Sequence, residues 1–172
     1  GVVRKVRAVM PKTKAQLRRY VKAFFGIEVP YKTICPDHQA PMDYLWRVYS
    51  SDFLPGLTDG DAVVWANRGG GKTFLGAVAS VLDCVFKDGC QVRILGGSAE
   101  QSGRMYEYVR DFVSARFTDL VAGNITKTRC EFRNRAGVEI MTQSQRNVRG
   151  RHIHKLRCDE VELFDRDVFE AA

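Results

Sequence analysis

Three consecutive glycines followed by a lysine and a threonine, Gly69-Gly70-Gly71-Lys72-Thr73, make a set of residues suited to holding phosphate. An anion is bound where successive backbone N–H groups converge on it at a helix N-terminus, and only small residues let the backbone come that close. In such a loop Gly69, Gly70 and Gly71 cradle the phosphates of ATP, Lys72 neutralises the β- and γ-phosphates, and the Thr73 hydroxyl ligates Mg2+. The consensus is G-x-x-x-x-G-K-[ST]. Here Ala66 stands in the place of the first glycine, and Arg68 occupies the middle of the loop.

Hydrolysis would need an acid to hold the metal and a base or positioner for the attacking water. Asp159-Glu160, directly after Lys155-Leu156-Arg157-Cys158, offers both. An acidic pair after a strand is also an ordinary helix start, where negative charge meets the helix dipole. Lys155 and Arg157 make the preceding run more polar than buried strands usually are.

The elements that must position these groups follow from periodicity. Ala62 to Trp65 is a short apolar run before the glycine loop, the pattern of a strand buried on both faces. Thr73 to Lys87 is apolar on almost every side and reads as a buried helix, with Gly89 suited to a left-handed position after it. Gln91 to Leu95 is the next strand. Ser98 and Gln101 then form a capping box for a helix ending near Phe117, with Met105, Tyr108, Val109, Phe112 and Val113 on its apolar stripe. Two alternating runs between Ile125 and Gln143, around Asn134-Arg135-Ala136-Gly137, predict a β-hairpin. Because a whole strand and helix separate the loop from Asp159-Glu160, the acidic strand is expected beside the loop strand, with residues 91–95 displaced outward.

Upstream, Thr13 caps a predicted helix reaching Phe25, with Leu17, Tyr20, Val21 and Phe24 at helical spacing, and a second helix spans about Met42 to Tyr49. The expected fold is α/β: a P-loop NTPase with a mostly parallel sheet flanked by helices, and an inserted hairpin. Residues 1–60 form a basic helical appendage. Residues 61–172 form the ATPase core, whose sheet is expected to be incomplete at its C-terminal side.

The 172 residues carry 27 Lys and Arg against 20 Asp and Glu, a net charge of +7. Arg4, Lys5, Arg7, Lys12, Lys14, Arg18, Arg19 and Lys22 fall in the first 25 positions with no acidic residue among them, a block that is either a solvated helix face or a surface for polyanions. A second basic strip runs through Arg146, Arg149, Arg151, His152, His154, Lys155 and Arg157. The five cysteines, Cys35, Cys84, Cys90, Cys130 and Cys158, lack paired metal-site spacing and read as reduced thiols. No stretch has the length and apolarity of a membrane span, and the N-terminus lacks a secretory h-region. The chain begins at Gly1 and reads as a piece of a longer protein.

Together the deviant loop and the acidic pair resemble the ATPase domain of the large terminase subunit of tailed bacteriophages, which packages double-stranded DNA into a procapsid. That family has a loop without the first glycine and with an arginine four residues before the lysine, as Arg68 stands to Lys72. It also has an Arg-Gly ahead of the acidic strand, as in Arg149-Gly150, and a Gln after an upstream proline, as in Pro36-Asp37-His38-Gln39. The resemblance covers about residues 36–165. It implies that Arg68 contacts the γ-phosphate, Glu160 activates water, Asp159 holds Mg2+ through water, Gln39 reads the adenine, and Arg149 is an arginine finger toward a neighbouring subunit. It further implies double-stranded DNA, a portal and a small terminase subunit as partners, a homo-oligomeric ring on the procapsid, no membrane, and the cytoplasm of an infected bacterial host.

Against the family pattern, the acidic strand is polar, and the serine/threonine coupling strand and the nuclease domain would lie beyond Ala172. Two other readings share some of these residues. A superfamily-two helicase shares the Gln element and Asp-Glu, but such loops usually lack the arginine. A non-catalytic basic module would bind nucleic acid through its phosphates, with steep salt dependence.

Overall fold

A computed structural model describes residues 7–54, 61–96, 99–141 and 153–164. The chain divides into two compact units, Gly1–Leu75 and Gly76–Ala172.

In the first unit, α1 spans Lys14–Phe25 and α2 spans Pro41–Ser50. Thr13 starts α1 as expected: its hydroxyl accepts a hydrogen bond from the Gln16 N–H, satisfying a donor that the first turn leaves orphaned. Gly26 ends the helix at φ 74, the left-handed conformation that glycine adopts without a Cβ penalty. Leu17, Tyr20, Val21 and Phe25 are buried, while Phe24 is half-buried. Pro41 does not break α2 but begins it, at the helix position where a missing N–H costs nothing. The Ala40 N–H donates to Asp43 Oδ2, and Lys14 Nζ lies 2.5 Å from Asp43 Oδ1. Arg18 and Lys22 both pair with Glu28, and the Arg18 guanidinium also lies over the Tyr31 ring. The basic face of α1 is thus partly neutralised from within its own unit.

The helix α3, Lys72–Phe86, crosses the division between the units. From Ala77 to Cys84 its residues are buried, as its all-round apolar sequence predicts. Gly89 follows at φ 71, again as expected.

The second unit is built on a four-stranded sheet: β1 Gln91–Gly96, β2 Arg129–Glu131, β3 Gly137–Met141 and β4 Lys155–Asp159, in the order β2-β3-β1-β4. Both β3 and β4 run parallel to β1, while β2 is antiparallel to β3. The molecule is therefore α/β with a mostly parallel sheet. The helix α4, Ala99–Arg116, supplies the crossover from β1 toward the hairpin, and a 3-10 turn, Thr118–Leu120, follows it.

Several expectations are corrected. Residues 61–67 form no strand, and Val63 and Trp65 are 89% and 93% exposed. A run of four apolar residues marks a buried strand only where neighbouring strands receive its backbone groups, and periodicity cannot report whether they do. Residues 91–95 are not displaced outward: β1 lies between β3 and β4. The hairpin is not a separate insertion either, because its second strand joins the main sheet directly. Its left-handed turn residue is Arg135 at φ 67; Gly137 instead lies in β3, where a Cβ would approach the Cys130 carbonyl oxygen to 3.3 Å. On α4 the stripe is shifted, with Tyr106 buried and Tyr108 41% exposed. Ser98 of the expected capping box lies outside the described residues.

Packing in the second unit explains one glycine and one turn residue. A Cβ on Gly76 would lie 2.9 Å from Met105 Cε, so α3 and α4 approach closely there. The Asn134 side chain donates to the Cys84 carbonyl oxygen at 2.8 Å, tying the hairpin turn to the end of α3. Cys84, Cys90 and Cys130 are buried in this unit, Cys158 is half-buried, and Cys35 of the first unit is exposed.

Candidate functional site

The glycine loop leads directly into α3. Residues 68–70 form a turn in which the Gly70 N–H donates to the Asn67 carbonyl at 3.0 Å. Gly69 and Gly71 have φ of 79 and 78, conformations that L side chains rarely adopt. A Cβ on Gly70 would meet Asn67 Oδ1 at 2.8 Å. Two of the glycines are thus favoured by backbone conformation, and at the third a Cβ would also press on the Asn67 carbonyl oxygen at 3.0 Å.

The Lys72 ammonium folds back across the loop and donates to the Ala66 carbonyl oxygen at 2.7 Å. This closes residues 66–72 into a ring at the N-terminus of α3, where the helix places its positive dipole end. The bond uses only the carbonyl of Ala66, so the missing first glycine does not disturb it. At the start of α3, the Leu75 N–H donates to the Gly71 carbonyl at 2.9 Å. Arg68 is exposed, and Lys72 and Thr73 are half-buried. Gln39 is exposed immediately before Ala40, the N-cap of α2.

In the second unit, Asp159 is the last residue of β4 and is 9% exposed. Its register partner on β1 is Gly96, which sets no side chain beside the carboxylate. Glu160 follows at φ 53 and ψ 54, a left-handed conformation that is uncommon for a residue with a Cβ. The chain then enters a 3-10 turn, Val161–Leu163, closed by the Leu163 N–H on the Glu160 carbonyl at 3.0 Å. The sharp turn holds the Glu160 side chain exposed beside a buried aspartate.

Sequence reasoning passed over two features of this region. Arg104 of α4 pairs with Glu100 at 2.8 Å; that hydrogen bond and charge, with Glu160 and Glu107 adding to the field, raise the affinity of the guanidinium for its proton. Glu160 and Arg104 are therefore electrostatic neighbours, which no sequence spacing announced. The second is Asp83 of α3, fully buried, with Lys87 Nζ and an Arg157 guanidinium nitrogen each at 2.5 Å. An aspartate inside an apolar helix was the available signal, and the polar alternation of β4 was its complement.

Arg149 lies outside the described residues, as do Arg146, Arg151 and His152. His154 of the basic strip is described, and its Nδ1 accepts from the Gln91 N–H at 3.1 Å, which places it in sheet-end bonding. Burial pushes the Cys84 thiol well up and the Cys130 thiol up to about 11, which keeps them protonated at neutral pH. Among the described residues no three His, Cys, Asp or Glu side chains are grouped to hold a metal ion, and no helix is long and apolar enough to cross a membrane. No protein-family model matches the chain, and no curated protein matches it.

Proposed function

We propose that this chain is the ATP-binding and hydrolysing part of a DNA-translocating motor of the terminase type. The observation that carries the reading is the ring closed by Lys72 on the Ala66 carbonyl, with left-handed Gly69 and Gly71 at the N-terminus of a long helix. A loop of this shape directs backbone N–H groups at an anion, and the ammonium is already held across its mouth.

In this reading backbone N–H groups of the loop other than that of Gly70, which is bonded to Asn67, bind phosphate oxygens, and Lys72 exchanges the Ala66 carbonyl for the β- and γ-phosphates. Arg68 contributes its charge to the γ-phosphoryl group as negative charge develops there. Glu160 orients the attacking water and takes its proton. Thr73 would hold Mg2+ through its hydroxyl and Asp159 through water, oxygen groups being the donors this hard cation takes. An ion held there would supply neutralisation of phosphate charge. Gln39 is assigned to the adenine, and Arg149 to a finger reaching a neighbouring subunit. Double-stranded DNA is the proposed cargo, with a portal and a small terminase subunit as partners of a ring.

Equilibrium binding of a fluorescent ATP analogue, with and without Mg2+, tests the reading. Lys72→Ala is expected to weaken binding at least about tenfold, a loss of about 1.4 kcal/mol. In the full-length protein Glu160→Gln is expected to lower turnover by about 10²–10⁴-fold with binding retained. Arg68→Ala should keep affinity within about tenfold while turnover falls further. Absence of Mg2+-dependent ATP binding, with DNA binding intact, would replace the motor by a basic nucleic-acid-binding module.

A further inference from the structure

The polarity of β4 is unexplained by a role in carrying Asp159-Glu160 alone. Arg157 and Asp159 are two residues apart on one strand and so project to the same face of the sheet. The Arg157 guanidinium meets Asp83 of α3 at 2.5 Å, and Asp83 also accepts from Lys87 at 2.5 Å. The side chains of Asp83, Arg157 and Lys87 are 0%, 12% and 13% exposed, so all three charges are largely withdrawn from water.

Stability is a poor reason for this arrangement. A buried ion pair roughly breaks even against a well-packed apolar pair of similar volume, because desolvation offsets its attraction. This one is also imperfectly satisfied, since Arg157 Nε is buried without a hydrogen-bond partner. A directional, charge-assisted contact does supply position. Residues 155–159 are held on β1 by parallel pairing, and the Asp83 contact adds a fixed point at Arg157, two residues before Asp159.

We infer that Asp83, through Arg157, is a positioning residue for Asp159: it fixes the last turn of β4 in place so that the Asp159 carboxylate is presented at a set depth. The inference rests on the proposed reading only where it names Mg2+ as the ion presented to. The Asp83 carboxylate is fully buried and is assigned no contact with the ion or the substrate.

Two variants separate position from folding. Asp83→Asn leaves two buried cations without their counter-charge and is expected to lower stability. The double variant Asp83→Leu with Arg157→Met, made on a Lys87→Met background so that no buried cation loses its counter-charge, replaces the charges by apolar side chains and is expected to fold with a melting temperature near that of the parent. Amide hydrogen exchange on the full chain, resolved over residues 153–160, is the first measurement. The double variant should lose protection there at least about tenfold while residues 92–95 and 137–141 keep theirs. Mn2+ titration followed by electron paramagnetic resonance, in the presence of a non-hydrolysable ATP analogue, is the second. Its affinity should fall about 10–100-fold, the range seen when groups that orient metal ligands are removed.

Unchanged exchange over residues 153–160 in the folded double variant overturns the inference. Loss of exchange protection together with unchanged Mn2+ affinity overturns it as well, since position would then not matter to the ion. If the parent protein binds no Mn2+ with nucleotide, the ATPase reading fails separately. The exchange result then still decides whether Asp83 positions β4.

Discussion

Left-handed backbone at residues with a Cβ is the feature that most separates one side chain from another in this molecule. Glu160 and Arg135 both adopt it, at φ 53 and 67. The conformation costs about 1–2 kcal/mol for an L-residue, and glycine would remove that cost while adding some freedom to the unfolded chain. Either residue changed to glycine should therefore raise stability by up to about 1 kcal/mol in chemical denaturation. Under the proposed function the two differ in consequence: Arg135→Gly is expected to leave ATP turnover unchanged, whereas Glu160→Gly should abolish it. Equal turnover in the two variants would remove the reason for tolerating strain at Glu160. Such strain persists where a side chain has a task, in keeping with the role proposed for Glu160.

Among elements, what was legible in the sequence was local. Thr13 and Gly89 punctuate their helices as read, because caps and left-handed exits depend on neighbours a few residues away. The hairpin was legible for the same reason. Pairing was not: nothing in residues 91–95 says that β3 and β4 flank them, and nothing in 62–65 says that the run stays exposed. The candidate site divides along the same line. The loop Gly69 to Thr73 announces itself, while the partner of Arg157 is 74 positions away and emerges only on folding. The approach of α3 to α4 at Gly76 can be tested directly. Gly76→Ala presses on the flexible end of Met105 but gains helix propensity, so its net effect should stay within about 1 kcal/mol. Gly76→Leu has no such outlet and should cost about 1–3 kcal/mol by overpacking, read from the denaturation midpoint.

For the molecule as a whole, the distribution of sulfur has a consequence in reaction kinetics. Cys35 is exposed in the first unit, whereas Cys84, Cys90 and Cys130 are enclosed in the second, with the Cys130 thiol pushed up to about 11. An alkylating reagent at pH 8 should consume Cys35 within its ordinary reaction time and reach the enclosed three only when the second unit opens. Their labelling rate then becomes a clock for that opening, slowed by the equilibrium fraction open. Peptide-resolved alkylation gives the reading: prompt modification of Cys84 in the native protein would contradict the packing described for α3. Under the proposed function, a nucleotide that binds only the closed protein, at 100 times its dissociation constant, should slow the clock about 100-fold, equivalent to about 2.7 kcal/mol. The enclosed thiols thus offer a gauge of ligand binding that requires neither turnover nor an optical label.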